Sequence, residues 1–415
     1  MAQPFVIVGA GHAGLSLAAT LRRKGWRDDI LLLERQAGIP VQRPPLSKSA
    51  LKDDWSEGKN HILPAEWFEK QNVELMAATA VVAVDRLERI VKTDHGQTIV
   101  WSKLALATGA TPRRLSCPGH HLEGVHYVRT VGDASALRQD LRAVERAVVV
   151  GGGYIGLEVA ACLAGMGKSV TVIELADRLL ARVATPQMSA FFQELHLSRG
   201  ISVMTGDGVA RIEGGPRVKR VTTMAGQVVK ADAVIAGIGV MPDLALLPFL
   251  EIDGADGIPV DAHCMTRHPG IYAVGDIARL AWPFGRMRIE SVCNAQYTAA
   301  LAAHHALGLE PPEYEVPWFW SDQHDGKLQS AGVPLSWDHV IWRKGDRPES
   351  GAAFAFRDGE LVSVEAFNFM AAYMLGKKMM SGASGATMAD VGDRGIDLRA
   401  LTKLRCTQPV GRLEN

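Results

Sequence analysis

Two glycine-rich turns are the features of this sequence most clearly suited to chemistry. The first contains Gly9, Gly11 and Gly14, directly after the apolar run 5–8 and before a stretch rich in alanine and leucine. A strand, a glycine turn and a helix in this order can bind a dinucleotide pyrophosphate, because backbone N–H groups and the positive end of the helix face the phosphates. Glu34 ends the next apolar run, where an acid accepts hydrogen bonds from a ribose. The pattern predicts a dinucleotide site, and an ordinary glycine-rich turn is the simpler alternative.

The same pattern recurs in the middle of the chain. Gly151, Gly153 and Gly156 follow the apolar run 147–150, and Glu174 ends the next apolar run. Two complete copies are much more specific than one, because each contains a strand, a glycine turn, a helix, a second strand and an acid. The sequence therefore predicts either two bound dinucleotides or one that needs both halves of a site.

Further segments must position these turns. The run 104–112 predicts a buried strand that ends in a turn, with Pro112 as a hinge out of the first domain, and 233–242 predicts another strand with a Gly/Pro exit. Asp276 ends the run 271–276 and could meet a sugar hydroxyl, or could simply form a turn after Gly275. In the segment 43–48, two prolines predict an extended turn, and Ser47 could cap a short helix. A solvated basic loop is the alternative for that segment.

The pattern changes after Pro317. Short strand-like runs at 339–343, 352–356 and 361–366 are separated by turn residues, which predicts a separate α+β domain. We expect a helix around 398–404 and a mobile loop at 379–389.

Length and composition narrow the class of protein. The chain has 415 residues, which favours two or three domains, and 45 basic residues balance 45 acidic ones. This balance gives no support for a nucleic-acid or membrane-surface protein. The chain begins directly before the first strand, so we expect no signal peptide and a cytoplasmic location. The cysteines form no CxxC or CxxxxC pair and predict neither a local dithiol nor a metal site; they are Cys117, Cys162, Cys264, Cys293 and Cys406.

The order of the motifs resembles the FAD-dependent ferredoxin reductases, which are the reductase components of bacterial cytochrome P450 and aromatic-ring dioxygenase systems. The resemblance runs from about Phe5 to beyond Lys378 and includes the segments 43–48, 237–242, 274–276 and 317–323. It implies two Rossmann-like domains of the glutathione-reductase-like α/β fold and a C-terminal α+β domain. The FAD-binding domain would comprise 1–112 and 244–317, with the NAD-binding domain inserted at 113–243 and the C-terminal domain, 318–415, at the flavin.

The resemblance also implies site residues. The FAD site would contain Gly9, Gly11, Gly14, Glu34, Arg43, Lys48, Ala107, Arg129, Asp276, Val292 and Trp320. The NADH site would contain Gly151, Gly153, Gly156, Glu174 and Gly239, with Ile155 and Glu158 near the nicotinamide. Two positions depart from the family pattern, since relatives often have Gln in place of Cys293 and Cys in place of Ile277.

The implied activity passes electrons from NADH through FAD, one at a time, to a [2Fe–2S] ferredoxin that feeds a P450 or a ring-hydroxylating oxygenase. The implied catalytic residues are Lys48 and Glu158, near flavin N5, and Trp320, against the ring. An ammonium there favours the anionic reduced flavin, and a carboxylate keeps the lysine charged. Alternatively, Glu158 only interacts with the positive end of its own helix. Hydride transfer needs no acid or nucleophile, so His12 and His324 are interpreted as structural or surface residues.

Dithiol reductases and peroxidases of the same fold are disfavoured because 36–43 contains no cysteine. A signalling flavoprotein similar to apoptosis-inducing factor remains the alternative from another class, although the neutral charge argues against nucleic acid. We expect a monomer or weak homodimer that binds ferredoxin transiently. Basic residues of the C-terminal domain, together with Trp318 and Trp320, predict the docking surface for ferredoxin. Alternatively, these basic residues form only a solvated face. The basic residues are Arg343, Lys344, Lys377 and Lys378.

Overall fold

A computed structural model describes residues 3–52, 55–244 and 256–404. Their contacts define two units. The first comprises Met1–Pro45, Trp55–Arg113 and Val240–Tyr314, and the second comprises Leu46–Asp54, Arg114–Gly239 and Glu315–Asn415. The predicted fold class is confirmed, since the chain contains two parallel Rossmann-like sheets and a C-terminal antiparallel sheet with helices.

The elements, in chain order, are as follows. The first segment contains β1 (Phe5–Val8), α1 (His12–Lys24), β2 (Ile30–Leu33), α2 (Ala65–Lys70), β3 (Val73–Met76), β4 (Val81–Asp85), β5 (Ile90–Thr93), β6 (Thr98–Val100), β7 (Lys103–Leu106) and β8 (Ala110–Pro112). The second contains β9 (Val125–His126), α3 (Val131–Asp140), β10 (Arg146–Val150), α4 (Tyr154–Gly165), β11 (Ser169–Glu174), α5 (Pro186–Ser198), β12 (Ser202–Thr205), β13 (Val209–Gly214), β14 (Val218–Thr223), β15 (Val228–Lys230) and β16 (Ala233–Ala236).

The third segment contains β17 (Val240–Pro242), β18 (Ile258–Pro259), β19 (Ile271–Ala273), β20 (Ala278–Trp282), β21 (Gly285–Met287) and α6 (Val292–Ala306). The last contains β22 (Trp318–Gln323), β23 (Gly326–Gly332), β24 (His339–Lys344), β25 (Gly351–Arg357), β26 (Glu360–Phe367), α7 (Met370–Met380), α8 (Met388–Gly392) and α9 (Leu398–Leu401). Single 3₁₀ turns occur at Pro44–Ser47, Ser49–Leu51, Glu57–Asn60 and Gly275–Ile277.

The first unit is built on a parallel sheet with the strand order β19-β7-β1-β2-β3. Strands β1 and β2 are buried along their whole length, as expected for a parallel sheet covered on both faces. Helices α1 and α6 pack against each other. The sheet places the end of β1, and therefore the first glycine turn, between the ends of β2 and β7.

The second unit contains a parallel sheet with the order β12-β11-β10-β16-β9. Strand β10 lies between β11 and β16, so the second glycine turn has the same setting as the first. The unit also contains the antiparallel sheet β22-β23-β26-β25-β24, on which α7 packs. The three C-terminal strands predicted from the sequence are present, each slightly longer than expected.

Three local predictions need correction. The prolines of 43–48 begin a 3₁₀ turn, which tolerates proline in its first turn, and not an extended turn. Ser47 ends that turn, and its hydroxyl donates to the carboxylate of Glu158, while Lys48 is the N-cap of the next 3₁₀ turn. The expected loop at 379–389 is present at 381–387, but its ends belong to helices, because α7 continues to Met380 and Thr387 caps α8 with a reciprocal pair of hydrogen bonds to Asp390. The C-terminal helix is present but ends at Leu401.

Candidate nucleotide-binding and redox sites

The first glycine turn has room for no side chain at two of its three predicted positions. Gly9 has φ +101°, and a Cβ there would lie 2.4 Å from the carbonyl oxygen of Ala107. A Cβ at Gly14 would lie 1.9 Å from the carbonyl oxygen of Gly9. Glycine is therefore required for the tight turn and for the close packing of α1 on β1.

The N-terminus of α1 lies beside a cation. Gly11 is the N-cap and has no side chain to satisfy the first N–H groups of the helix. The nearest atom to a Cβ built on Gly11 is a guanidinium nitrogen of Arg43, at 3.7 Å. The backbone N–H groups at a helix N-terminus, the helix dipole and an arginine together suit a pyrophosphate, so the residues of this turn fit a dinucleotide.

Glu34 supports this turn directly. Its buried carboxylate accepts hydrogen bonds from the N–H groups of Ala10, at 2.8 Å, and Gln36, at 3.0 Å. The acid therefore fixes the shape of the glycine turn as well as standing where a ribose hydroxyl is expected.

Other predicted FAD-site residues of the first unit gather at the same end of the sheet. Gly275, with φ +76°, approaches the first turn of α1 so closely that a Cβ would lie 2.7 Å from the Cβ of Ala13. This contact brings Asp276 to the glycine turn, and the Asp276 carbonyl accepts a hydrogen bond from Arg288. Val292 is the first residue of α6, where helix N–H groups have no partner within the helix.

The second glycine turn repeats this geometry. Gly151 has φ +104°, and Cβ atoms at Gly151 and Gly156 would lie 2.5 Å from the oxygen of Gly237 and 2.2 Å from that of Gly151. At Gly153, the N-cap of α4, a Cβ would have no heavy atom within 4 Å. The helix end is therefore open to a phosphate, and these residues also fit a dinucleotide.

Glu174 holds the second turn as Glu34 holds the first. Its carboxylate accepts from Gly152 N, at 2.5 Å, and from Ala176 N, at 2.8 Å. The neighbouring Arg178 donates to two carbonyls and to the hydroxyl of Ser189, so its guanidinium is committed to the fold. The nearby cation on the surface is Arg182, which is exposed and approaches Gly239.

The predicted pair of Lys48 and Glu158 is present in the second unit. The Lys48 Nζ lies 2.9 Å from Oε1 of Glu158, and the two side chains are 20% and 5% exposed. Ser47 donates to Oε2 at 2.5 Å, and Ser321 donates to Oε1 at 2.6 Å. Side chains distant in sequence therefore hold the carboxylate. Glu158 does not interact only with the positive end of its own helix. Its place beside a flavin stays a prediction.

Strand β22, which contributes Ser321 to this site, also contains two tryptophans. The rings of Trp318 and Trp320 lie 5.6 Å apart and are tilted by 32°, and both side chains are half-buried. The Trp318 indole N–H donates to Glu315.

Arg129, another predicted FAD-site residue, precedes α3 and its backbone N–H donates to Asp133. Ile155, predicted to lie near the nicotinamide, is 43% exposed at the start of α4.

The expected basic surface is smaller than its sequence indicates. Arg343 is buried and donates to the carbonyls of Val391, Asp393 and Ile396, so it holds the C-terminal segment in place and is wrong as a docking residue. Lys378 donates to the Thr402 carbonyl.

Several buried polar residues were missed by sequence analysis. Glu365 on β26 accepts from the N–H and hydroxyl of Thr185, at 2.9 and 2.6 Å. Burial raises the pKa of Glu365 to about 7, while the bonds from Thr185 and the charge of Arg178 act in the opposite direction. Ser321 and Gln323 were also missed, although their polar side chains alternate along a strand and so share one face.

The predicted structural role of His324 is consistent with its position, since it is half-buried and its ring lies against His196. Of the five cysteines, Cys264 and Cys293 are buried, Cys117 and Cys162 are half-buried, and Cys406 lies outside the described residues. Within residues 3–52, 55–244 and 256–404, no group of His, Cys, Asp and Glu could hold a metal ion. The helices of the same ranges are all too short or too polar to cross a membrane.

Comparison with known proteins defines the class. Residues 3–299 match the pyridine nucleotide-disulphide oxidoreductase family, and residues 318–402 match the family of reductase C-terminal domains. The ferredoxin–NAD(+) reductase component of the anthranilate 1,2-dioxygenase system of Burkholderia cepacia is 38% identical over 379 residues, which cover 88% of this chain and 91% of that protein.

Two solved structures extend the likeness to three dimensions. The ferredoxin reductase for the CYP199A2 system from Rhodopseudomonas palustris is 35% identical with a TM-score of 0.91, covering 96% of this chain and 99% of the other. The covalent putidaredoxin reductase–putidaredoxin complex contains a match of 33% identity and TM-score 0.92, covering 96% and 98%. The chain belongs to the pyridine nucleotide-disulphide oxidoreductase family and, within it, to the ferredoxin reductases of P450 and dioxygenase systems.

Proposed function

We propose that this protein oxidises NADH and passes the electrons through bound FAD, one at a time, to a [2Fe–2S] ferredoxin that serves a P450 or ring-hydroxylating oxygenase. The observation that carries the proposal is the pair of complete dinucleotide turns, one in each unit, each with a glycine that no other residue could replace. When bound, FAD supplies the chemistry that accepts two electrons from a nicotinamide and releases them singly.

The first unit supplies most of the proposed FAD site. Gly9, Gly11 and Gly14 shape the turn, and Arg43 contributes positive charge near the helix end. Glu34 would bind the adenosine ribose. The other residues proposed for the site are Ala107, Asp276, Val292, Lys48, Arg129 and Trp320.

The second unit supplies the proposed NADH site. The open end of α4 at Gly153 would bind the pyrophosphate, with Gly151, Gly156 and Gly239 permitting close approach of the backbone. Glu174 would accept hydrogen bonds from the ribose hydroxyls. A carboxylate at this position repels a 2′-phosphate, so NADH is the proposed donor in preference to NADPH.

Lys48 and Glu158 are the proposed catalytic pair, with Trp320. The ammonium of Lys48 would favour negative charge on a reduced cofactor, and the carboxylate of Glu158 orients that ammonium. Ile155 and Glu158 belong to the first turns of α4, which also contains the proposed phosphate site, so one helix would bind the donor and hold the pair.

The remaining parts of the proposal concern organisation and partner. We propose that 113–243 form an NAD-binding domain inserted between the parts 1–112 and 244–317 of the FAD-binding domain, followed by a C-terminal domain at 318–415. The partner is a ferredoxin bound transiently by a monomer or weak homodimer. A relative seen in complex with putidaredoxin supports a protein electron acceptor, and dependence on NADH supports action in the cytoplasm.

A panel of purified [2Fe–2S] ferredoxins, tested as acceptors with NADH and with NADPH, tests this proposal. The preparation should be yellow and release unmodified FAD on denaturation, and at least one ferredoxin should support steady NADH oxidation. A flavoprotein with only a signalling role would bind NADH but show no steady turnover with any ferredoxin of the panel.

A further inference from the structure

A chain of hydrogen bonds connects the carboxylate of Glu158 with a histidine pair in the second unit. Ser321 donates to Glu158 at 2.6 Å, and the Gln323 amide nitrogen lies 3.1 Å from the Ser321 oxygen. The Gln323 oxygen lies 2.9 Å from Nε2 of His196, and Nε2 of His324 lies 3.2 Å from Nδ1 of His196. Four of these side chains are buried, and only His324 is half-buried.

Chemistry fixes the direction of every bond in this chain. The Glu158 carboxylate is paired with Lys48 and can only accept, so the single hydroxyl proton of Ser321 points to it. The Ser321 oxygen must then accept from Gln323, and only the amide NH₂ can donate. The amide oxygen of Gln323 consequently faces His196, which must carry its proton on Nε2.

The histidines complete the same direction. Burial lowers the pKa of His196 to about 4, with the charge of nearby His324 acting in the same sense and the bond to Gln323 opposing it. His196 is therefore neutral at pH 7, with Nδ1 as an acceptor. His324 donates to that nitrogen. Each donor in the chain points towards Glu158, and aligned hydrogen bonds polarise one another in a buried environment.

We propose that Ser321, Gln323 and His196 are positioning residues for Glu158: they hold its carboxylate in the orientation that pairs with the ammonium of Lys48. This inference rests on the proposed function. Ser321 holds Oε1 while Ser47 holds Oε2, so both oxygens are fixed and the plane of the carboxylate is set. The chain transfers no proton, because the Gln323 amide does not exchange its N–H and acceptor roles without rotating.

The first test is independent of activity. In holoenzyme labelled with ¹⁵N-histidine, NMR at pH 7 should show His196 as the neutral tautomer protonated on Nε2, with assignment from the loss of its signals in His196→Asn. A neutral tautomer protonated on Nδ1, or a charged His196, would reverse or break the direction of the chain and overturn the inference.

The second test measures reduction of the bound flavin by NADH in a stopped-flow instrument. Ser321→Ala should slow the reaction about tenfold or more, because it removes a hydrogen bond to a charged acceptor. Ser321→Thr keeps the hydroxyl and should restore the rate to within about threefold. Ser363→Ala is the matched control, since Ser363 is also a buried serine of the C-terminal sheet and its hydroxyl meets no partner among the described residues.

Double variants show whether Ser321 acts through Glu158. In a Glu158→Gln background, Ser321→Ala should change the rate less than about twofold, since the charged acceptor is already gone. An equal loss in both backgrounds, or a loss matched by Ser363→Ala, would show a general packing effect and overturn the inference. Failure of the proposed function is distinct, because the wild-type protein itself would then not be reduced by NADH.

Discussion

The ammonium of Lys48 lies 2.9 Å from the carboxylate of Glu158, although the two residues belong to distant parts of the chain. Lys48 stands between two 3₁₀ turns, whereas Glu158 belongs to α4. Hydroxyls of Ser47 and Ser321 hold the same carboxylate, and the side chain of Glu158 is only 5% exposed. Such an arrangement fixes a positive charge in one place, which is the property that the proposed reaction requires.

Replacing Lys48 by Met removes this charge while keeping a side chain of similar length. We expect Lys48→Met to slow NADH-dependent flavin reduction by about 10- to 100-fold, as expected for loss of an interaction with a charged group, or to lower the flavin potential. FAD should stay bound. Stopped-flow reduction and a potentiometric titration measure the two effects, with Lys52→Met as an exposed control on the same segment. A wild-type rate and potential would show that Lys48 is only a loop cation.

Glu174 should determine the choice of nucleotide. Glu174→Ala is expected to reduce the preference for NADH over NADPH by about tenfold, because it removes both a ribose acceptor and the charge that repels a 2′-phosphate. The ratio of kcat/KM for the two nucleotides measures this preference. Asp177→Ala, an exposed acid three residues away, makes the same change of charge and should leave the ratio unchanged. Unchanged discrimination in Glu174→Ala would refute the assignment.

The buried carboxyl of Glu365 should make stability depend on pH. Its pKa is raised to about 7 in the folded protein by burial, so the fold favours the protonated form. Between about pH 4.5 and pH 7, Glu365 ionises in the unfolded chain but stays protonated in the folded protein. The free energy of unfolding therefore falls as pH rises through this range, by about 3 kcal/mol in total. Glu365→Gln should raise the free energy of unfolding by about that amount at pH 8 and by less than about 1 kcal/mol at pH 5.

Chemical denaturation at the two pH values measures this difference. The control is Glu360→Gln, which changes an exposed glutamate at the start of the same strand and should alter stability little at either pH. An equal effect of Glu365→Gln at pH 5 and pH 8 would contradict the raised pKa.

The ferredoxin surface should depend on Lys377. Its Nζ lies 5.8 Å from the centre of the Trp318 ring and 6.0 Å from that of Tyr373, whereas Arg343 is committed to the fold. Small ferredoxins are commonly acidic, so Lys377→Glu should raise the ferredoxin KM about two- to fivefold, and salt should reduce the difference. Lys219→Glu, an exposed site on β14, is the control. A salt-insensitive reaction with an unchanged KM would remove this surface from the account.

The sequence predicted the two glycine turns and their acids because each depends on residues close together in the chain. Gly9, Gly14 and Glu34 belong to one strand–helix–strand unit, so their spacing in the sequence is enough to predict the contacts that they make in the structure. The prediction that Lys48 pairs with Glu158 relied on the family resemblance, because no local sequence pattern relates those two residues.

Contacts across long sequence distances explain what was missed or wrong. Arg343 looked like a surface cation, but the carbonyls that bury it follow about fifty residues later. Thr185 and Glu365 meet in the same way, and neither segment alone indicates a partner. At 379–389, the predicted loop is present at 381–387, and only the last two residues of α7 and the capping box at Thr387 were missed.

Anaerobic titration of a [2Fe–2S] ferredoxin with NADH, in the presence of a catalytic amount of this protein, tests the central claim most directly. NADH supplies two electrons and each ferredoxin accepts one, so the reaction should yield NAD⁺, one proton and about two reduced ferredoxins for each NADH consumed. No reduction should occur when the protein is omitted or stripped of FAD. Consumption of NADH without reduction of any ferredoxin would contradict the account.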